Sequence, residues 1–216
     1  MIIDERMIAF IQSLDRGNSL FLTKLGEEAL DGGVPIIRPA AQSLLRFLLV
    51  LTKPRNILEV GTAVGFSAIL MAENTAADCQ ITTIEKEKKR FSQAEKNFAD
   101  SGYGGRIRLL EGDAADILPL LTEEYDLIFM DAAKGQYIHF LAQAKRLLSA
   151  GGLLISDNVL QDGEILESRF AVERRNRTIH SRMREYLFAL THDEELETVL
   201  LLVGDGMTLS VKKERN

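Results

Sequence analysis

Residues 57–67, Ile57-Leu58-Glu59-Val60-Gly61-Thr62-Ala63-Val64-Gly65-Phe66-Ser67, decide the fold. A short apolar run stops at a glycine, four residues of loop follow, and a helical pattern opens at Phe66. Glycines at such a strand-to-helix turn let the backbone approach a ligand, and the helix N-terminus offers free N–H groups. The stretch is neither G-x-G-x-x-G nor a P-loop, because Ala63 stands between the glycines and no Gly-Lys-Ser/Thr follows. A tight turn that needs only small residues remains the plain alternative on the glycines alone.

The pattern repeats outward. Residues 56–60, 80–85, 106–111, 125–131 and 152–157 are short runs rich in Ile, Leu and Val, each bounded by Gly, Pro or charge. Such runs suit buried parallel strands. Helical patterns lie between them at 66–74, 88–101, 114–121 and 136–149. Strand–helix alternation over four units predicts an α/β fold with a parallel sheet. A helix is expected over 172–191, then two strands at 197–203 and 207–212 joined as an antiparallel hairpin by Gly204-Asp205-Gly206. Upstream, helical spacing (Ile8, Ile11, Leu14; Leu20, Leu25, Ala29) and a third helix over 40–51 flank the proline-bounded crossing Val34-Pro35-Ile36-Ile37-Arg38-Pro39. The expectation is one domain over 1–216: a helical N-terminal extension (1–52) on an α/β core (53–216).

Composition narrows the class. With 216 residues, 46% hydrophobic and 27% charged, the chain is long enough to bury a core without staples. Cys79 is the only cysteine, which excludes an internal disulfide and multi-cysteine metal sites. The longest apolar run, Phe47–Leu51, is far short of a membrane span, and Met1–Arg6 carries no secretory pattern. The expected location is the cytoplasm, with no membrane partner. The net charge of −6 argues against a nucleic-acid protein as a whole, yet residues 169–184 hold six arginines and one acid. A basic segment in an acidic chain points to a local anionic partner.

Three sets of residues carry chemistry. Glu85 ends the second strand, where an acid can accept both hydroxyls of a ribose, though solvation is an equal reading. Glu111-Gly112-Asp113-Ala114 follows the third strand, with small residues suited to an adenine pocket. Asp131 ends the fourth strand, and Asp157-Asn158 the fifth. Ends of adjacent strands lie about 5 Å apart, so two carboxylates and an amide would converge at the ligand edge of the sheet. Hard oxygen donors suit Mg²⁺ and not zinc. Helix capping is the alternative for each aspartate alone. Lys134, taken alone, reads as a solvated lysine at a helix start.

Gly61–Ser67, Glu85, Asp131-x-x-Lys134 and Asp157-Asn158 together resemble the cation-dependent S-adenosylmethionine O-methyltransferases, over about residues 34–160. The resemblance implies a Rossmann-like class I methyltransferase with a seven-stranded sheet. It implies that Glu59, Gly61 and Thr62 line the methionine end of S-adenosyl-L-methionine, and that Ser67 contacts its carboxylate. Glu85 would hold the ribose, and Ala114 would touch the adenine with Asp113 beside it. Ile37, or failing it Ile36, would close over the cofactor. Asp131, Asp157 and Asn158 match the metal ligands, Asp131 also flanking the cofactor. Lys134 matches the lysine proposed as general base. Ala133 stands where the catechol-specific branch carries an aromatic residue, which puts a small catechol pocket in doubt.

The crossing at 34–37, the Arg-rich segment and Gly204-Asp205-Gly206-Met207 look most like the bacterial branch that methylates 5-hydroxyuridine at the tRNA wobble position. Arginines suit phosphate contacts, and Arg174, Arg175, Arg177, Arg182 and Arg184 are the expected RNA-facing set. Tyr103, Tyr137 and Phe170 are candidates for stacking on a base. In the same helix Ile179, Met183, Tyr186, Leu187 and Leu190 form an apolar, core-facing stripe. The alternative acceptor is a small catechol or phenol. A homodimer through the N-terminal helices is expected from the resemblance.

Overall fold

The structure, a computed structural model, describes residues 5–214; Met1–Asp4, part of the segment judged for a leader, lie outside it. Seven strands form one sheet: β1 (Asn56–Val60), β2 (Gln80–Glu85), β3 (Ile107–Glu111), β4 (Tyr125–Met130), β5 (Leu148–Ser156), β6 (Leu196–Leu201) and β7 (Met207–Lys212). Their order is β3-β2-β1-β4-β5-β7-β6. β1 to β5 pair in parallel, and β7 runs antiparallel to both β5 and β6. This is the expected α/β sheet with its C-terminal hairpin. Strand order reverses between β1 and β4, so a crevice opens at their carboxyl ends.

The central strands are buried on both faces, and their residues alternate between two cores. Ile57, Leu127, Phe129, Leu153 and Ile155 pack beneath α2 (Leu20–Asp31), α3 (Pro39–Thr52) and α4 (Phe66–Glu73). Leu58, Val60, Ile128, Met130 and Leu154 pack against α7 (Tyr137–Leu147) and α8 (Arg177–Thr191). The remaining helices are α1 (Glu5–Ser13), α5 (Lys88–Ser101) and the short α6 (Ala114–Ile117). Among the described residues no helix is long and apolar enough to cross a membrane.

Several boundaries differ from the sequence expectation: β5 begins at Leu148 and not at 152, and three further differences have a local reason. The helix expected over 114–121 stops at Ile117 and tightens into a 3₁₀ turn over Leu118–Leu120, where Pro119 cannot donate. α8 begins at Arg177 and not at residue 172. Residues 168–176 form turns instead, closed by Ala171 N–H to Ser168 O and Asn176 N–H to Glu173 O. The link between β6 and β7 spans residues 202–206 and bends inward. Asp205 O accepts from Leu160 N–H and Gly206 O from Val159 N–H. The hairpin tip thus grips the loop that follows β5.

Candidate active site

The crevice at the carboxyl ends of β1, β2 and β4 opens into a cavity of about 530 Å³. That volume is ordinary for a small-molecule site. Its first half is built from β1, β2 and the start of α4. Gly61 has φ +104°, and a β-carbon there would overlap the Asp131 carbonyl. Only glycine lets the β1 turn press against the backbone after β4. Gly65 (φ +87°) leads into α4, whose N-terminus has no side-chain cap. Val64, Phe66 and Ser67 line the cavity there. Uncapped first-turn N–H groups with a small hydroxyl beside them suit a carboxylate.

Glu85 lines the same cavity and is 7% exposed. Its two oxygens accept from Ala63 N–H and Glu87 N–H, both at 2.8 Å. These bonds fix the carboxylate, which keeps further lone pairs for a diol. Asp113 caps α6 by accepting from Ala115 N–H at 2.9 Å, and Ala114 follows it in the wall. Gly61, Thr62, Ile36 and Ile37 complete this half. Ile37, in the crossing, lines the cavity wall.

Glu59 does not line the cavity, which corrects the expectation that it contacts the cofactor. It is fully buried behind the wall. One oxygen accepts from Ser67 Oγ at 2.5 Å and the other from Thr83 Oγ1, which also bonds Thr62 Oγ1 at 2.5 Å. Burial pushes the Glu59 carboxyl up to about 8, against the pull of the Ser67 and Thr83 hydrogen bonds. Its part is to orient Ser67 and Thr62, which do face the cavity.

The second half is built from β4, β5 and the hairpin. Met130 pairs with Ser156, so Asp131 and Asp157 leave adjacent strand ends side by side. Tyr137 Oη lies 3.1 Å from Met130 O and 3.0 Å from Asp157 O, tying the two ends together from below. Tyr137 is wholly buried, which removes it from the candidates for stacking on a base. Asn158, at φ +59°, donates Nδ2–H to Asp131 Oδ1 at 3.1 Å. Asp131 and Asn158 line the cavity, while Asp157 sits just behind them, 1% exposed. Asp157 Oδ1 accepts from Asn158 N–H, and its Oδ2 is buried without a partner.

The electrostatics follow from crowding. Burial raises the Asp157 carboxyl to about 7, and the neighbouring Asp131 charge pushes the same way. Burial also raises Asp131, opposed by Asn158 and Lys134. Two recessed carboxylates, one of them with an orphaned oxygen, and an amide form an oxygen-donor set that fits a hard divalent cation. Lys134 lines the cavity and pairs with Asp205 Oδ2 at 3.2 Å. Arg38 and Asp162, 2.7 Å apart, join the crossing to the loop after β5 across the cavity edge.

Sequence reasoning missed Asp205, Asp162 and Arg38. The Gly-Asp-Gly tip read as a turn, because nothing local shows that a turn 71 residues downstream reaches Lys134. The Arg-rich segment also needs correction. Arg174 and Arg175 precede α8, and Arg175 pairs with Glu173 at 2.7 Å. Arg177 bonds Val172 O and Phe170 O, Arg182 bonds Gly135 O, and Arg184 bonds Ile165 O. These three hold backbone in place. Met183, Tyr186 and Leu190 are buried as expected, whereas Leu187 is half-buried and Ile179 is 37% exposed. Tyr103 carries the Arg106 guanidinium over its ring at 5.3 Å, and Phe170 is 84% exposed.

Comparison with known proteins agrees with this geometry. The family described as O-methyltransferase matches residues 18–213. A relative named catechol O-methyltransferase, from Niastella koreensis, is 33% identical over 85% of this chain and 86% of its own. The crystal structure of SAH-bound Podospora anserina methyltransferase PaMTH1 superposes with a TM-score of 0.87 at 28% identity, covering 97% of this chain and 95% of that one. The O-methyltransferase TomG of Streptomyces achromogenes, in complex with SAM, gives 0.83 at 25% identity, covering 99% and 100%.

Proposed function

This chain belongs to the O-methyltransferase family, and from that premise we propose that it methylates a hydroxyl flanked by a second oxygen, with Mg²⁺ or a similar cation. It is a S-adenosylmethionine-dependent O-methyltransferase. The observation that carries the finer reading is that the Gly61–Glu85 cradle and the Asp131–Asn158 pair open into one cavity, with Asp157 directly behind.

Gly61, Thr62, Ser67 and the α4 N-terminus receive the methionine end of the cofactor. Glu85 takes the ribose, and Asp113 and Ala114 flank the adenine. Asp131, Asp157 and Asn158 would hold the cation, Asn158 through its amide oxygen. When bound, such an ion acidifies a coordinated hydroxyl and orients it. Lys134, as its neutral amine, takes the hydroxyl proton and becomes the ammonium that the Asp205 carboxylate can hold. The acceptor oxygen forms its bond to the methyl carbon as the sulfur–carbon bond breaks, and that electron pair stays on sulfur.

For the acceptor we propose 5-hydroxyuridine in the tRNA anticodon loop, whose 5-hydroxyl and 4-carbonyl present two adjacent oxygens. Arg169 and Arg174 support this: both are exposed, with no bonding partner among the described residues, on the segment that runs from the cavity rim to α8. The exposed Phe170 between them offers a stacking face. A second reading, a small catechol, is favoured by the name of the Niastella koreensis relative and by the internal use of Arg177, Arg182 and Arg184.

The test is methyl transfer from labelled S-adenosylmethionine, with and without EDTA, to tRNA bearing 5-hydroxyuridine and to catechol. Transfer to tRNA that EDTA stops is expected; transfer to catechol alone would replace the RNA reading with the second one. Replacing Arg169 and Arg174 by Ala should flatten the salt dependence of tRNA binding, by roughly 0.7 in log–log slope per lost contact. An unchanged slope would leave these arginines as solvated surface.

We also propose a homodimer. Met7, Phe10 and Ile11 of α1 and Phe47, Val50 and Leu51 of α3 are more than half exposed. A second copy would cover apolar area of this kind. Light scattering that returns a monomer mass at micromolar concentration would remove this reading.

A further inference from the structure

We propose that Asp205, at the tip of the hairpin between β6 and β7, is a positioning residue that holds the Lys134 amine over the acceptor site. The inference rests on the reading of Lys134 as the base. Asp205 is 5% exposed and lies at the cavity wall. Its Oδ2 takes Lys134 Nζ at 3.2 Å, and its Oδ1 takes Asp162 N–H at 2.6 Å. The backbone around it is fixed as well, through Leu160 N–H to Asp205 O and Val159 N–H to Gly206 O. Gly206 (φ +80°) allows this approach, since a β-carbon there would overlap the Leu160 side chain.

Two features make this more than an ion pair. Lysine is a flexible four-carbon stem with a point charge, so a free Nζ samples many positions. No other bond holds Lys134 Nζ among the described residues. The partner, by contrast, is an anchored anion: a buried carboxylate bonded through both oxygens and braced by its own backbone. One carboxylate therefore joins three parts of the acceptor half. These are the turn after β4 that carries Lys134, the loop after β5 that carries Asn158 and Asp162, and the C-terminal hairpin. A proton acceptor needs its atom within about 0.5 Å of the productive place, and a displacement of 1 Å costs on the order of a hundredfold.

The experiment is a double-mutant cycle between Asp205→Asn and Lys134→Met, read as single-turnover methyl transfer with enzyme in excess. The acceptor is whichever of 5-hydroxyuridine tRNA and catechol turns over. Asp205→Asn keeps the size of the side chain and an oxygen for Asp162 N–H but removes the charge that holds Nζ. It should slow transfer about ten- to a hundredfold, with the KM for S-adenosylmethionine and the Mg²⁺ activation midpoint unchanged. In the Lys134→Met background it should cost nothing further.

An undiminished rate in Asp205→Asn, or an equal loss in both backgrounds, would overturn the proposal while leaving Lys134 as base. Full activity in Lys134→Met would remove the base reading and this one with it. A measurement without acceptor or variant fold guards the test. In the unmutated protein with ¹³C-methylated lysines, assigned through Lys134→Arg, the Lys134 signal should relax as an ordered side chain. A signal as mobile as those of solvent-exposed lysines would equally overturn the assignment.

Discussion

The two halves of the cavity are built on opposite plans. Around β1 and β2, polar groups find partners before any ligand arrives: Glu85 on two backbone N–H groups, Glu59 on two hydroxyls, Asp113 on the α6 N-terminus. Around β4 and β5, charges are crowded and incompletely met. Asp157 Oδ2 is an orphan, and the Asp131 charge pushes the Asp157 carboxyl upward. On the proposed function, the first half would be a finished mould for a zwitterion with a diol. The second is an incomplete charge arrangement that a cation and an oxygen acceptor would complete. Preorganisation serves the constant ligand, and stored electrostatic tension serves the chemistry.

The largest expected effect comes from breaking the second half alone. Asp131→Ala should lower turnover by about a thousandfold or more, the loss of several kcal/mol of stabilisation of the developing oxyanion. Binding of S-adenosylhomocysteine should fall by no more than about tenfold, because the mould on β1 and β2 is untouched. Calorimetric titration beside the turnover assay separates the two numbers. Equal losses in both would mean that the halves are not independent.

Glu85→Gln makes the converse cut and a smaller one. It removes a charged acceptor for the ribose and leaves a neutral one, which costs about 1.5–3 kcal/mol. Affinity for S-adenosylmethionine should weaken by roughly ten- to a hundredfold, while kcat at saturating cofactor stays near its original value. A fall in kcat with unchanged affinity would place Glu85 outside the cofactor's reach.

The contrast also explains what the sequence made legible. The β1–β2 half is local: a strand, a glycine turn and an acid at the next strand end lie within 29 residues, and period alone reveals them. Asp131, Asp157 and Asn158 were readable for the same reason, since each ends an apolar run. What escaped notice was built from distant chain. Asp205 meets Lys134 across 71 residues and Arg38 meets Asp162 across 124, and no periodicity encodes either contact. Glu59 misled because its place in the motif hid its direction. On a strand the side chains alternate, and Glu59 points with Ile57 toward the α4 side, into the core. Composition counts charges and does not show that Arg177, Arg182 and Arg184 are bonded to backbone carbonyls.

The last expected effect is one of pH, and it resolves the two halves by ion and by variant. Glu59 has an ordinary value near 4.5 when exposed and about 8 in the fold. The folded chain thus holds a proton that the unfolded chain releases, so stability is full below about pH 4.5 and declines as pH rises toward 8. Asp157, raised to about 7, adds a decline of the same sign between about pH 4 and pH 7. Glu59→Gln keeps an acceptor for Ser67 and removes the first contribution only. Melting temperature measured from pH 5 to pH 8 should therefore fall less steeply in Glu59→Gln than in the unmutated protein. The expected difference is on the order of ten degrees, since a carboxyl that stays neutral in the fold from pH 5 to pH 8 contributes about 4 kcal/mol over that range, and about 1 kcal/mol shifts a chain of this size by 2–4 °C. Mg²⁺ should flatten the Asp157 part and leave the Glu59 part, because a cation neutralises charge at β4 and β5 and has no route to a carboxyl sealed behind β1. Glu59→Gln with Mg²⁺ should then show the flattest profile of the four combinations. If Mg²⁺ flattened the unmutated protein completely, the pH cost would lie wholly in the acceptor half, and Glu59 would be ionised in both states.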